Sequence, residues 1–161
     1  MKRLGIIICV LIACAGCQRN MYRFTEGTVY GTTYHISYKS DKDYAAEIRR
    51  EMERVNESLS MFNKKSTIAR LNRGETDRTD SLFVRLFAKA AEIHAETGGA
   101  FDITVAPLVN AWGFGYKNER LPSAEKVDSL LRYVGMEKLK IEDGRLVKAV
   151  EGIQMDASSI A

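Results

Sequence analysis

The segment TGGAFDITVAPLVNAWGFG, Thr97 to Gly115, constrains the fold of this chain more than any other stretch. It holds four of the twelve glycines, the single tryptophan and one of the two prolines. Glycine serves where the backbone turns left-handed or is closely approached, and it weakens a strand interior. Aromatic rings set among such glycines suit neither a solvated loop nor an ordinary core strand. The segment therefore reads as loop-rich, with a close contact to make. Within it Asp102 stands between Phe101 and Ile103, and a carboxylate in an apolar run needs donors or a cation. Two readings are open for it: backbone N–H groups of a Gly98–Gly99 turn, or a ligand lying against Phe101. Asp156, in IQMDASS, poses the same question. Trp112 and Phe114, flanked by Gly113 and Gly115, are either core or a flat wall for a planar ring system.

The flanking sequence predicts an α+β fold. RFTEGTVYGTTYHISY, Arg23 to Tyr38, is rich in threonine and aromatics. It reads as two short strands or one bent strand, with Gly31 at a bulge or a close backbone approach. Ile48, Met52, Val55, Leu59 and Phe62 then recur at spacings of four and three, which makes one apolar helical stripe. Ser66 caps a short turn carrying Ile68 and Leu71. Thr79 or Asp80 caps a longer helix whose inner face holds Phe83, Leu86, Phe87, Ala90 and Ile93, and Gly98–Gly99 stops it. Beyond the glycine-rich segment, Pro122 and Ser123 open a third helix with Val127, Leu130, Leu131 and Val134 inward. KLKIEDGRLVKAV reads as a hairpin turning on Asp143–Gly144. GIQMDASSIA reads as a last strand, and the fold is expected to be incomplete at its C-terminal side.

Bulk properties exclude several function classes. A length of 161 residues suits one domain, and 45% hydrophobic with 28% charged residues is an ordinary globular composition. MKRLGIIICVLIACAGC, residues 1–17, has a basic start, an apolar run too short to span a bilayer, and small residues before cysteine. It reads as a secretory signal ending in a lipobox, with Cys14 or Cys17 as the acylated residue. That predicts a bacterial cell-envelope protein, lipid-anchored at the inner membrane and facing the periplasm. All three cysteines, Cys9, Cys14 and Cys17, lie in this leader, so the rest of the chain has no disulfide, thiolate nucleophile or cysteine metal site. Without Lys2 and Arg3, the 24 basic residues fall to 22 against 21 acidic ones, which gives no electrostatic basis for nucleic-acid binding. His35 and His94 are too few for zinc and are expected in structural or surface roles. Asn63, Lys64 and Lys65 read as a solvated loop. No phosphate loop, nucleophile elbow or paired-histidine motif is present.

Four motifs in order nevertheless resemble the ApbE family of FAD:protein FMN transferases: VYGTTYHI, SLSMFNKKSTIARLN, TGGAFDITVAPLVNAWGFG and MDASSIA. The resemblance implies an ApbE-like, T-fold-related domain, of which residues 18–161 are the N-terminal part. It implies cleavage of FAD and transfer of its FMN half to a threonine or serine of an acceptor, a subunit of a membrane redox complex, with release of AMP and dependence on magnesium. Tyr30 takes the place of a family methionine beside the flavin, and Phe62 that of an aromatic which is often tyrosine. Ala100, Phe101, Asp102 and Ser158 match FAD contacts, which moves the Asp102 reading toward the ligand and leaves Trp112 as support behind it. Ala161 matches the residue whose backbone carbonyl binds magnesium. The family's transfer-linked histidine and remaining metal ligands fall beyond residue 161, so the catalytic residues are unassigned and no turnover is expected of the chain alone. An FAD pyrophosphatase and a lipid-anchored FAD-binding protein without catalysis are the alternative readings.

Overall fold

A computed structural model describes residues 21–114 and 121–160. The chain divides at Arg50–Glu51 into two units.

The first unit is built on an antiparallel hairpin of β1 (Tyr22–Val29) and β2 (Thr32–Lys39), in register from Tyr22 opposite Lys39 to Val29 opposite Thr32. The connection is Tyr30–Gly31, with φ of 55° and 76°. Both residues are left-handed, the geometry of a type I′ turn whose twist matches that of the strands. Gly31 thus sits in the turn rather than at a bulge, and Tyr30 adopts a backbone conformation that side chains other than glycine and asparagine rarely take. After β2, the Asp43 carboxylate accepts the Ala45 N–H at 3.0 Å and the Tyr38 hydroxyl at 2.8 Å. That oxygen opens helix α1 (Ala45–Leu59), whose apolar stripe was expected.

The second unit carries the core. Helix α2 (Thr67–Asn72) starts at Ser66, whose buried hydroxyl accepts the Ala69 N–H at 3.1 Å and donates to the Ser60 carbonyl at 2.8 Å. Helix α3 (Ser81–Glu96) is capped by Asp80, which accepts the N–H groups of Leu82 and Phe83, each at 2.9 Å. Gly98 and Gly99 end it with φ of 59° and 88°, as their position predicted. The segment expected to be loop-rich contains a 3-10 turn at Ile103–Val105 and helix α4 (Ala106–Ala111), with Pro107 in its first turn where no N–H is needed. Helix α5 (Ala124–Leu131) is capped by Ser123 and stops earlier than predicted. Leu131 is not inward but 48% exposed, because adjacent helical residues point about 100° apart and Leu130 takes the inner side. Strands β3 (Leu139–Glu142) and β4 (Arg145–Lys148) pair antiparallel through Asp143–Gly144, both at positive φ, as the sequence indicated.

Ile68 and Leu71 of α2, Phe83 and Ala90 of α3, Ile103, Met136, Leu139, Leu146, Ile153, Met155 and Ala157 form one buried cluster. The inner faces of α2 and α3, the β3–β4 hairpin's inward residues and the last segment therefore meet in one place. The predicted final strand is absent. Residues 153–156 belong to no regular element, and Met155 pairs with a side chain instead of a strand: its N–H goes to Asn72 Oδ1 and its carbonyl accepts from Asn72 Nδ2, each at 2.8 Å. An asparagine amide offers one donor and one acceptor in the geometry of a peptide, so it replaces a ladder partner. No helix among the described residues is long and apolar enough to cross a membrane.

Candidate functional site

Two turns of the same kind lie side by side. In the first, Asp102 caps the 3-10 turn: its Oδ1 accepts the Thr104 N–H at 2.8 Å and the Thr104 hydroxyl at 2.5 Å. In the second, Asp156 caps Ala157–Ser159: its Oδ1 accepts the Ser158 N–H at 2.9 Å and the Ser158 hydroxyl. The short side chains of Asp and Thr or Ser two residues apart favour this closure locally. The Asp156 N–H donates to the Ile103 carbonyl at 2.7 Å, which joins the two turns back to back. Both aspartates that the sequence singled out therefore serve one paired element.

Asp102 is the more heavily committed. Its side chain is 8% exposed, and Oδ2 accepts the Met136 N–H at 3.0 Å. Thr104, fully buried, receives the Gly135 N–H at 2.7 Å on the hydroxyl it gives to Asp102. The aspartate thus ties the 3-10 turn to the Met136–Lys138 turn that leads into β3, and none of its three donors comes from the Gly98–Gly99 turn. Of the two readings of this residue, main-chain stapling is present, with a different main chain.

Next to it, Ala100 is exposed and Phe101 half-buried, its ring resting on the core cluster. Ser158 is exposed beside the buried Asp156. Ala100, Phe101, Asp102 and Ser158 are therefore carried by adjoining turns, as a single ligand surface requires. Phe62, 55% exposed, follows α1 at a bend whose Ser60 hydroxyl accepts the Phe62 and Asn63 N–H groups at 3.2 and 3.3 Å. Asn63 itself is half-buried and donates to the Asn56 carbonyl at 3.2 Å, so the expected solvated loop is limited to Lys64 and Lys65. Tyr30 belongs to the first unit. Cys14, Cys17 and Ala161 lie outside the described residues. Trp112 and Phe114, at 45% and 81% exposure, are not core.

Sequence reasoning overlooked Asn72 and Lys148. The Lys148 ammonium donates to the Leu71 and Ile153 carbonyls at 2.7 and 3.0 Å, and with Asn72 it pins the segment that leads into Asp156. Both border a polar groove of about 790 Å³ between α2 and β4. Burial pushes Lys148 below the ordinary lysine value of 10.5. In the window between that lowered value and 10.5 the unfolded chain binds the extra proton, so this residue makes stability rise with pH. The stability difference between the wild type and Lys148→Met is therefore expected to shift in favour of the wild type as alkaline pH rises, in parallel chemical-denaturation series. A difference that does not change with pH would contradict it.

Among the described residues no group of three His, Cys, Asp or Glu side chains could hold a metal. With Asp102 and Asp156 committed to internal donors, the described residues do not by themselves build a magnesium site. The surface of Ala100, Phe101 and Ser158 does suit an organic ligand: a small residue allows close approach, an aromatic edge offers apolar contact, and a hydroxyl offers hydrogen bonding.

The sequence profile of the ApbE family matches residues 30–161, which contain both paired turns. The chain belongs to the ApbE family. It is 32% identical to the FAD:protein FMN transferase of Haemophilus influenzae, aligned over 100% of this chain and 53% of that protein. To the Vibrio cholerae enzyme of the same name it is 31% identical, over 100% and 52%. The ApbE fold itself is shared: the flavin transferase ApbE structure from Vibrio cholerae superposes with a TM-score of 0.78 at 31% identity, covering 86% of this chain and 48% of that one. The apo flavinyl transferase ApbE of Pseudomonas stutzeri gives 0.77 at 31% identity, over 87% and 48%. The chain thus spans about half the length of the ApbE relatives it matches.

Proposed function

We propose that this chain carries the flavin-binding part of an FAD:protein FMN transferase. The observation that supports it most is that similarity to flavin transferases runs over the full chain and includes the paired Asp102 and Asp156 turns. By the family resemblance, the FAD-binding residues in this reading are Tyr30 in the first unit and Phe62, Ala100, Phe101, Asp102 and Ser158 in the second. Phe101 lends an apolar contact. Asp102 acts from behind, holding the turn that presents Ala100 and Phe101, and the Ser158 turn is locked to it through Asp156. Positioning of this kind is what phosphoryl transfer asks of a protein, since the bonds themselves need little covalent help.

The reaction is balanced simply. The hydroxyl oxygen of an acceptor threonine or serine bonds to the FMN-side phosphorus, the bond to the AMP oxygen breaks, AMP leaves with the electron pair, and the hydroxyl proton is lost to solvent or a base. Magnesium belongs to the same reading, with the Ala161 carbonyl as one ligand, and rests on the family resemblance. The acceptor, by the same resemblance, is a subunit of a membrane redox complex. The basic-apolar leader supports lipid attachment at Cys14 or Cys17 and a place at the periplasmic side of the inner membrane.

The test is an FAD titration by flavin fluorescence, on this chain and on the chain joined to the remaining part of the Vibrio cholerae relative. Weak binding by the first is expected, and by the second tight, magnesium-dependent binding with AMP release and a flavinylated acceptor. AMP with free FMN alone would convert the reading to a pyrophosphatase. Absence of FAD binding in both proteins would sink it.

A further inference from the structure

His94 was expected to be an ordinary structural or surface residue, and the fold places it against the candidate FAD surface. It occupies the last turn of α3, with its side chain 26% exposed. Its Nδ1 lies 2.7 Å from the Phe101 carbonyl oxygen and 3.5 Å from Asp102 Oδ2. A carbonyl oxygen can only accept, so Nδ1 carries the hydrogen in this arrangement. The Phe101 N–H is held as well: it donates to Thr97 Oγ1 at 3.1 Å, and that hydroxyl donates to the Ile93 carbonyl at 2.8 Å. The Gly99 N–H donates to the His94 carbonyl at 2.9 Å. Both main-chain groups of Phe101 are thus tied to one helical turn, the N–H by the Thr97 hydroxyl and the carbonyl by the imidazole.

We propose that His94 is a positioning residue which fixes the Phe101–Asp102 peptide and so sets the presentation of Ala100 and Phe101 to FAD. Loss of the imidazole leaves the Phe101 carbonyl without its donor. The turn between Gly98 and Asp102 keeps its glycines, whose freedom then becomes a liability. Asparagine can place an amide donor where Nδ1 stood, whereas leucine fills the space without one. The inference rests on the proposed flavin-binding role only for its ligand, because the clamp can be measured without FAD.

Two measurements on the full chain decide it: amide hydrogen exchange by mass spectrometry, and FAD titration. In His94→Leu, exchange across residues 97–104 is expected to rise roughly tenfold, with the β3–β4 hairpin unchanged, and FAD affinity to fall roughly tenfold, the scale of one well-placed hydrogen bond. His94→Asn is expected to recover most of both. A merely structural histidine would instead raise exchange throughout the second unit. That outcome, unchanged exchange at 97–104, or no recovery in His94→Asn would overturn the proposal. If the wild type binds no FAD, the functional reading suffers while the exchange result still rules on His94. If it binds FAD and His94→Leu binds equally well, only the proposal fails.

Discussion

Asp102→Ala is expected to destabilise the second unit by about 3 kcal/mol, lowering the melting temperature by roughly 10 °C. The magnitude follows from what the change strands. The carboxylate accepts the Thr104 N–H, the Thr104 hydroxyl and the Met136 N–H. Removing it leaves those donors inside a nearly closed space, with Thr104 fully buried. A buried donor without an acceptor costs more than a hydrogen bond between exposed groups contributes. Asp102→Asn should recover only part of the loss, since one end of an amide is a donor and every protein group now facing Asp102 is a donor too. Thermal melts followed by circular dichroism read the effect. A shift in Asp102→Ala of less than a few degrees would mean that the carboxylate serves only the ligand, the reverse of its role as a main-chain staple.

Phe83→Ala is expected to cost more, about 3–5 kcal/mol, because truncating a large buried ring loses both its transfer energy and its packing. Phe83 is fully buried, and its ring stacks on Phe87 at a centroid distance of 6.3 Å. It sits in the first turn of α3, three residues after the Asp80 cap, where Ile68, Leu71 and Met155 share its cluster. Against a typical total of about 5–15 kcal/mol, such a loss approaches unfolding at physiological temperature. Phe83→Leu, which keeps most of the volume, should retain a cooperative transition in urea with a lower midpoint. An alanine variant with an unchanged midpoint would show that the described core is not the one that holds the unit together.

The elements that could be read in advance share one property: their determinants lie within a few residues of each other. Ser66, Asp80 and Ser123 each cap a helix by bonding an N–H two or three positions on. Asp143–Gly144 turns its hairpin by its own backbone preference, whereas the Tyr30–Gly31 turn stands where a bulge or a close backbone approach was expected. The failures were also local in origin. The last segment reads as a strand, but its own residues cannot say whether the partner is another strand or the amide of Asn72. Leu131 reads as inward by its apolar type, but it lies about 100° round α5 from Leu130, which takes the inner side.

The candidate site divides along the same line. That Asp102 and Asp156 needed donors, and that a threonine or serine stood two residues beyond each, was decided by residue chemistry at short range. Which donors they took was not. The Asp102–Met136 bond spans 34 residues, the Asn72–Met155 pair 83, and the Lys148–Leu71 bond 77. Partners so distant in the chain are chosen only when the common core brings α2, the 3-10 turns and the β3–β4 hairpin within hydrogen-bonding distance. His94 lies between the two cases. It is only seven residues from Phe101, yet its role depends on the chain reversing at Gly98–Gly99 to bring the carbonyl back to the ring nitrogen. Local sequence supplied the capping chemistry and the turns, and the tertiary packing decided which buried polar groups would meet.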